Sequence, residues 1–201
     1  MADRSEWTRI IEEDPEHSQR YIQRFRDLAA QGFDLGGEAR LVDAMVGRNA
    51  RILDAGCGPG RVGAILFGHG HNVVGVDGDP ELIAAAVDDH PGPTWLVGDL
   101  AELDLPASGV AEPFDLIVCA GNVMAFLAVS TRRLVLERLG AHLADGGRLV
   151  TGFGSGRGYE FDGFFDDAAA AGLGVDLSAS SWDLRGFNDE SDFLVAVLSR
   201  A

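Results

Sequence analysis

One stretch decides the fold of this 201-residue chain: Ile52-Leu53-Asp54-Ala55-Gly56-Cys57-Gly58-Pro59-Gly60-Arg61. It starts as an apolar strand, turns through glycines at three alternate positions and continues as a helix. Glycine removes side chains where the backbone turns tightly, and it lets a ligand lie against the chain. The first amide groups of the following helix are unpaired and partly positive, which suits a carboxylate or phosphate. The stretch therefore predicts a cofactor cradle at the end of a first β-strand.

The spacing of the glycines bears on which cofactor the cradle holds. A dinucleotide loop reads GxGxxG, whereas here the third glycine comes one residue early, at Gly60, and Arg61 takes the expected glycine position. No GxxxxGK[ST] pattern occurs, so a Walker loop is excluded. The second strand ends in Asp77, and a carboxylate there accepts hydrogen bonds from ribose hydroxyls in NAD and adenosylmethionine sites alike. The spacing thus disfavours NAD, and Asp77 indicates a nucleoside without identifying the rest of the ligand.

A third acidic residue strengthens the case for a cationic ligand. Asp99 follows the third strand, so Asp54, Asp77 and Asp99 are all expected at the same edge of the sheet. A sulfonium with amino and adenine groups would be stabilised there by the carboxylates.

Outward from this stretch, short apolar runs alternate with helical segments, which is typical of βαβ units and a parallel sheet. Strands are predicted at about 50–55, 72–77, 94–98, 114–119 and 147–153, and helices at about 60–68, 80–89, 122–127, 131–143 and 160–171. Residues 175–184 and 193–200 are both strand-like and joined by a short polar link. Because a parallel crossover needs a dozen or more residues, this pair predicts an antiparallel hairpin. Two amphipathic helices are predicted in the first 48 residues.

Composition narrows the class of protein. The 32 acidic residues outnumber the 16 basic ones, all arginine, and the net charge near −16 disfavours a nucleic-acid partner. No apolar run approaches the roughly 20 residues of a membrane span, and the first residues lack a signal-peptide pattern, so a cytoplasmic protein without a membrane partner is expected. The lack of lysine, with abundant alanine, glycine and arginine, is associated with high-GC bacterial genomes.

Cysteine and histidine usage gives no support for a metal site. Cys57 and Cys119 form no CxxC pair and are expected to be small buried thiols. His69 and His71 flank Gly70 in an expected loop, where they are predicted to be solvated. No metal is expected.

Taken in order, these residues resemble the class I S-adenosylmethionine-dependent methyltransferases. Motif I of that family is matched by Leu53–Gly60, the ribose acid by Asp77 and the adenine-side acid by Asp99, over a resemblance covering about residues 50–153. The resemblance implies a Rossmann-like, doubly wound α/β fold with helices on both faces. It also implies a mostly parallel seven-stranded sheet of order 3-2-1-4-5-7-6, ending in the antiparallel hairpin. Residues 1–48 would then form a helical extension or lid, and residues 49–201 the S-adenosylmethionine-binding domain.

The resemblance also implies the cofactor contacts and the class of acceptor. The backbone at Gly56–Gly58 would lie against the methionyl part, Asp77 would hold the ribose, and Asp99 with Leu100 would border the adenine. The full set of expected cofactor-binding residues is Asp54, Gly56, Cys57, Gly58, Gly60, Asp77, Gly78, Asp99, Leu100, Ala120, Gly121 and Asn122. The Asn/Asp-Pro-Pro-Tyr/Phe box of many nucleic-acid and protein methyltransferases is missing after the fourth strand, which favours a small-molecule acceptor, with S-adenosylhomocysteine as the other product.

Methyl transfer from a sulfonium depends chiefly on alignment, so a general base is optional and no catalytic residue is assigned. The candidates expected over this edge of the sheet are His17, Tyr21, Asn122, Arg157 and Tyr159. His17 is equally consistent with a solvated side chain, and Tyr21 with core packing. Two alternatives stay open: an NAD-dependent oxidoreductase, and a protein that binds S-adenosylmethionine without transferring its methyl. The oligomeric state is not readable from the sequence.

Overall fold

The computed structural model describes residues 3–201, and all seven of its named strands form one sheet. Residues 1 and 2, where the predicted extension begins, lie outside the described residues. The strand order is β3-β2-β1-β4-β5-β7-β6, as predicted. The strands are β1 (Arg51–Ala55), β2 (Asn72–Asp77), β3 (Thr94–Val97), β4 (Phe114–Cys119), β5 (Leu143–Gly154), β6 (Leu173–Ala179) and β7 (Phe193–Arg200).

The direction of the strands divides the sheet into two parts. The first five strands pair in parallel, so their carboxyl ends meet at one edge. β7 runs antiparallel between β5 and β6, which confirms the predicted terminal hairpin. The carboxyl edge of β1, β2 and β4 is therefore where the chain order of the sheet reverses and where open α/β sheets bind ligands.

Eight α-helices surround the sheet in the described residues. They are α1 (Glu6–Glu13), α2 (His17–Ala30), α3 (Gly37–Met45), α4 (Arg61–Gly68), α5 (Pro80–Asp89), α6 (Val123–Phe126), α7 (Arg132–Ala141) and α8 (Phe161–Ala170). Short 3₁₀ turns cover Leu100–Glu102, Pro106–Ser108 and Val129–Thr131. None of these helices is both long and apolar enough to cross a membrane. Buried apolar side chains cover both faces of the sheet.

β5 begins at Leu143, earlier than the predicted start near residue 147. Three further expectations from the sequence were wrong in detail. The amino-terminal region holds three helices and not two, because Ser5 starts the additional helix α1 by accepting a hydrogen bond from the Thr8 amide. β6 ends at Ala179 and not near residue 184, because the chain turns back there and Leu184 takes a positive φ of 63°.

The third correction concerns His71, which is buried and not solvated. Its Nε2 lies 2.9 Å from Oδ1 of Asp43, so the ring joins α3 to the loop before β2. His69 is partly exposed beside the same carboxylate. Cys57 and Cys119 are buried free thiols, as expected.

Candidate active site

The turn between β1 and α4 is built from glycines that take left-handed backbone conformations. Gly56, Gly58 and Gly60 have φ values of 75°, 55° and 84°, which other residues adopt only with strain. A Cβ on Gly56 would lie 2.5 Å from a methyl group of Val123, so the turn packs directly against α6. At Gly58 the nearest such atom belongs to the Tyr21 ring, at 3.8 Å. The backbone at Gly58 is thus open toward the space that Tyr21 borders.

Asp77 ends β2 beside this turn and is held by the backbone. Its Oδ2 accepts a hydrogen bond from the Gly58 amide at 2.9 Å, and its Oδ1 accepts one from the Asp79 amide at 2.9 Å. A carboxylate has about four acceptor positions, so both oxygens can still accept hydroxyl donors. Burial raises the pKa of Asp77. The carboxylate is oriented before any ligand arrives.

Asp54 lies deeper and joins β1 to the start of α4. Its side chain is 2% exposed, and Oδ2 accepts a hydrogen bond from the Gly63 amide at 2.8 Å. Burial raises the pKa of this carboxyl to about 7, although the Gly63 amide lowers it. A cation bound nearby would favour the ionised form.

The third acid, Asp99, begins the short turn Leu100–Glu102 by accepting a hydrogen bond from the Ala101 amide. Its side chain is exposed, whereas Leu100 behind it is buried. Together the two residues suit a planar heterocycle, because the Asp99 carboxylate can accept hydrogen bonds from its polar edge and Leu100 can contact its face.

These groups surround one cavity of about 230 Å³ at the carboxyl edge of the sheet. Ten of the twelve predicted cofactor-binding residues line it: Asp54, Gly56, Cys57, Gly58, Asp77, Gly78, Asp99, Leu100, Ala120 and Gly121. The cavity therefore brings together the cofactor residues expected at the ends of four strands, β1 to β4.

Two predicted cofactor residues, Gly60 and Asn122, lie outside the cavity lining. A Cβ on Gly60 would lie 2.9 Å from the Trp95 ring, which also packs over Gly63 and Gly75. The third glycine of the motif is thus explained by Trp95. The Asn122 side chain accepts a hydrogen bond from the Gly154 amide at 2.8 Å and so ties the end of β5 to the turn after β4.

Of the catalytic candidates other than Asn122, only Tyr21 lines the cavity, and burial raises its pKa. The His17 ring packs edge-to-face against Trp7, with ring centroids 5.1 Å apart. Arg157 is exposed in the loop after β5. Tyr159 is buried under the Arg132 guanidinium and donates its hydroxyl to Asp167, so the structure places it in the core.

Sequence reasoning missed the wall of the cavity that α1 and α6 supply. Trp7 contacts Tyr21 and Phe126 edge-on, with ring centroids 5.2 and 5.8 Å apart. The residues of this wall are Ser5, Trp7, Thr8, Ile11, Val123, Phe126 and Leu127. The helical spacing of Trp7, Ile10 and Ile11 was the signal that could have revealed α1.

Arg61, which occupies the glycine position of a dinucleotide loop, also borders the cavity. Its guanidinium forms two hydrogen bonds with the Glu38 carboxylate, at 2.9 and 2.6 Å, and lies over the Phe25 ring. Arg61, at the start of α4, thus contacts α3 through Glu38 and α2 through Phe25.

The described residues fit S-adenosylmethionine. Asp77 offers free acceptor positions for ribose hydroxyls, Asp99 and Leu100 suit the adenine, and Gly58 leaves room for the methionyl chain. The buried carboxyl of Asp54 can balance positive charge.

Comparisons with known proteins agree with this geometry. A family model described as a methyltransferase domain matches residues 52–147. A solved TehB-like SAM-dependent methyltransferase from Corynebacterium glutamicum is 49% identical; the match covers 94% of this chain and 100% of that one, with a TM-score of 0.88.

Two curated proteins match over shorter stretches. Magnesium-protoporphyrin O-methyltransferase of Rhodobacter capsulatus is 35% identical over 49% of this chain and 43% of its own length. Trans-aconitate 2-methyltransferase of Azoarcus sp. is 33% identical over 66% of this chain and 48% of its own. The matches thus span less than half of each curated relative.

Proposed function

Because this chain belongs to the class I S-adenosylmethionine-dependent methyltransferases, we propose that it transfers the methyl group to a small-molecule acceptor by in-line displacement. The cofactor is S-adenosylmethionine and its product is S-adenosylhomocysteine. This family assignment sets aside the NAD-dependent alternative. One observation carries the proposal: a single cavity joins the cofactor residues at the sheet edge to an aromatic wall suited to enclosing an acceptor.

When bound, the cofactor supplies a methyl group activated by a positively charged sulfur. Asp77 would accept the ribose hydroxyls and fix the position of the nucleoside. Leu100 would contact the adenine, and Asp54 would oppose the positive charge of the ligand. These contacts hold the donor, so the protein's contribution to rate is alignment with the acceptor.

The opposite wall would orient the acceptor and exclude water. Trp7, Phe126 and Leu127 present apolar surface to the cavity. Tyr21 stays protonated at neutral pH because burial raises its pKa, so its hydroxyl serves as a hydrogen-bond donor or acceptor and not as a phenolate base. The site therefore suits an acceptor whose nucleophilic atom does not need Tyr21 to remove a proton from it.

The class of acceptor follows from charge as well as enclosure. The net charge of −16 opposes a phosphate backbone, and α1 covers part of the cavity that a polymer would have to enter. Both features favour a compact acceptor.

The first test is calorimetric titration with S-adenosylhomocysteine, with NAD titrated in parallel. We expect micromolar binding of S-adenosylhomocysteine, no NAD binding, and at least tenfold weaker binding after Asp77→Ala. Asp88→Ala, an exposed carboxyl on α5, is the matched control and should bind like the wild type. Binding of NAD, or no effect of Asp77→Ala, would contradict the assigned cofactor site.

The second test addresses catalysis. Protein and S-adenosylmethionine are incubated with small thiols, amines, phenols, carboxylates and halides, and products 14 Da heavier are sought by mass spectrometry. Turnover of one class, abolished by Asp77→Ala, is the expected result. Cofactor binding without turnover of any class would favour the alternative of a non-catalytic binding protein.

A further inference from the structure

The hydrogen bonds of Asp79 connect the nucleoside site to the wall that covers the cavity. Asp79 is 3% exposed and caps α5 by accepting a hydrogen bond from the Glu81 amide with Oδ1. Its other oxygen, Oδ2, accepts the indole N–H of Trp7 at 2.9 Å and the hydroxyl of Ser18 at 2.5 Å. One buried carboxylate therefore receives donors from α1, α2 and α5.

The same residue is joined to the nucleoside site through its backbone. The Asp79 amide donates to Oδ1 of Asp77, whose Oδ2 is held by the glycine turn at Gly58. A ligand that engages both oxygens of Asp77 would thus stabilise the turn that positions Asp79. The chain of contacts runs from the glycine turn through Asp77 and Asp79 to Trp7.

The first two helices, α1 and α2, differ in how firmly they are attached. α2 buries Ser18 and Ile22, packs against Leu82 and Ala85 of α5, and pairs Arg26 with Asp89. α1 buries no residue. Its half-buried Trp7 donates a hydrogen bond to Asp79 and contacts the Phe126 ring, so one side chain joins the start of α5 to α6.

We infer that Asp79 is a positioning residue that latches Trp7 over the bound cofactor, and that release of this latch opens the cavity. The inference rests on the proposed function, because it takes the ligand at Asp77 to be the nucleoside of the cofactor. Trp7, Thr8 and Ile11 of α1 line the cavity, so movement of this helix would widen the path for exchange of the cofactor. Trp7 itself is the closing wall, and Asp79 acts through it.

The test is the dissociation rate of S-adenosylhomocysteine, measured by surface plasmon resonance on the full chain. Trp7→Phe keeps an aromatic ring but removes the N–H donor. Asp79→Asn keeps a good helix cap. It leaves a single acceptor oxygen for the Glu81, Trp7 and Ser18 donors, which share two carboxylate oxygens in the wild type. Each variant should raise the dissociation rate about tenfold, as expected for a lost hydrogen bond to a charged group.

A double variant and a matched control separate a latch from a purely structural role. Trp7→Phe with Asp79→Asn should dissociate no faster than the faster single variant, because both remove the same contact. Ser18→Ala removes the other donor to the same Asp79 oxygen; it should lower the melting temperature without raising the dissociation rate.

The outcomes are distinguishable. If S-adenosylhomocysteine binds but Trp7→Phe dissociates at the wild-type rate, the latch is refuted while the cofactor site stands. Effects of the two single variants that multiply in the double variant would also overturn it. Absence of any binding to the wild type would count against the proposed function itself.

Discussion

The two walls of the cavity are built on different principles. The wall at the sheet edge, Gly56–Gly58 with Asp77, is held by the hydrogen bond from the Gly58 amide to Asp77 and by the close packing of Gly56 against Val123. The wall supplied by α1 depends on one indole, Trp7, and buries no residue. The rigid wall thus positions the cofactor, and the loosely attached wall controls access to the cavity. This division agrees with the low local stability expected of elements that move.

The largest expected effect breaks the rigid wall at Gly56. Gly56→Ala would place a Cβ 2.5 Å from Val123 at a φ of 75°, and overpacking with backbone strain should lower the free energy of unfolding by about 3 kcal/mol. Urea denaturation followed by circular dichroism measures this. Adding Val123→Ala removes the clashing methyl groups and should restore part of the loss.

Gly58→Ala is the matched comparison within the same turn. Its φ of 55° costs about 1 kcal/mol in strain, but no atom within 3.8 Å opposes the new Cβ. We expect the fold to tolerate this change while binding of S-adenosylhomocysteine weakens. Equal stability losses for the two alanine variants would show that packing against α6 does not distinguish these glycines.

A smaller effect on the same wall comes from Asp54. Its pKa is raised to about 7 in the folded chain, against an ordinary value of 3.8, so unfolding without ligand releases a proton between these values. The contribution of Asp54 to the free energy of unfolding therefore falls as pH rises from about 4 to about 7. Asp54→Asn should gain stability relative to the wild type between pH 5 and pH 8, by at least about 1.4 kcal/mol, the equivalent of one pKa unit.

Urea denaturation of both proteins at the two pH values measures that difference. Asp99→Asn, at an exposed carboxyl, is the control and should show no such gain. If Asp54→Asn is equally stable relative to the wild type at pH 5 and pH 8, the buried carboxyl is ionised throughout and the rigid wall tolerates its charge.

The difference between the walls also explains what the sequence could predict. The strand order, the glycine turn and Asp77 follow from short-range patterns, because a strand, a tight turn and a helix start within ten residues constrain one another. Gly60 was assigned to the cofactor on the same pattern, but its conformation and the ring of Trp95, far along the chain, explain the glycine. The position of Gly60 in the motif therefore did not predict that it packs against Trp95.

The α1 wall was not predicted because its contacts are long-range. Trp7 contacts Asp79 and Phe126, which follow β2 and β4 far along the chain. An eight-residue segment with helical apolar spacing is also too short to form a stable helix on its own. Asp79 caps α5, but the donors that it receives from α1 and α2 were not foreseeable. Arg157 and Tyr159 were candidates by position in the chain, and tertiary packing places neither in the cavity lining.

The smallest expected effect sharpens the comparison at Ser5, which caps α1. Ser5→Ala removes the hydrogen bond from the Thr8 amide and should cost the helix about 1 kcal/mol. Because α1 buries no residue, we expect urea denaturation of the whole chain to be almost unchanged. Amide hydrogen exchange within α1 should instead quicken about fivefold, while the amides of β1 exchange at the wild-type rate. If exchange in β1 quickened to the same extent, the two walls would unfold as one unit, and the separation of a rigid cofactor wall from a mobile cover would fail.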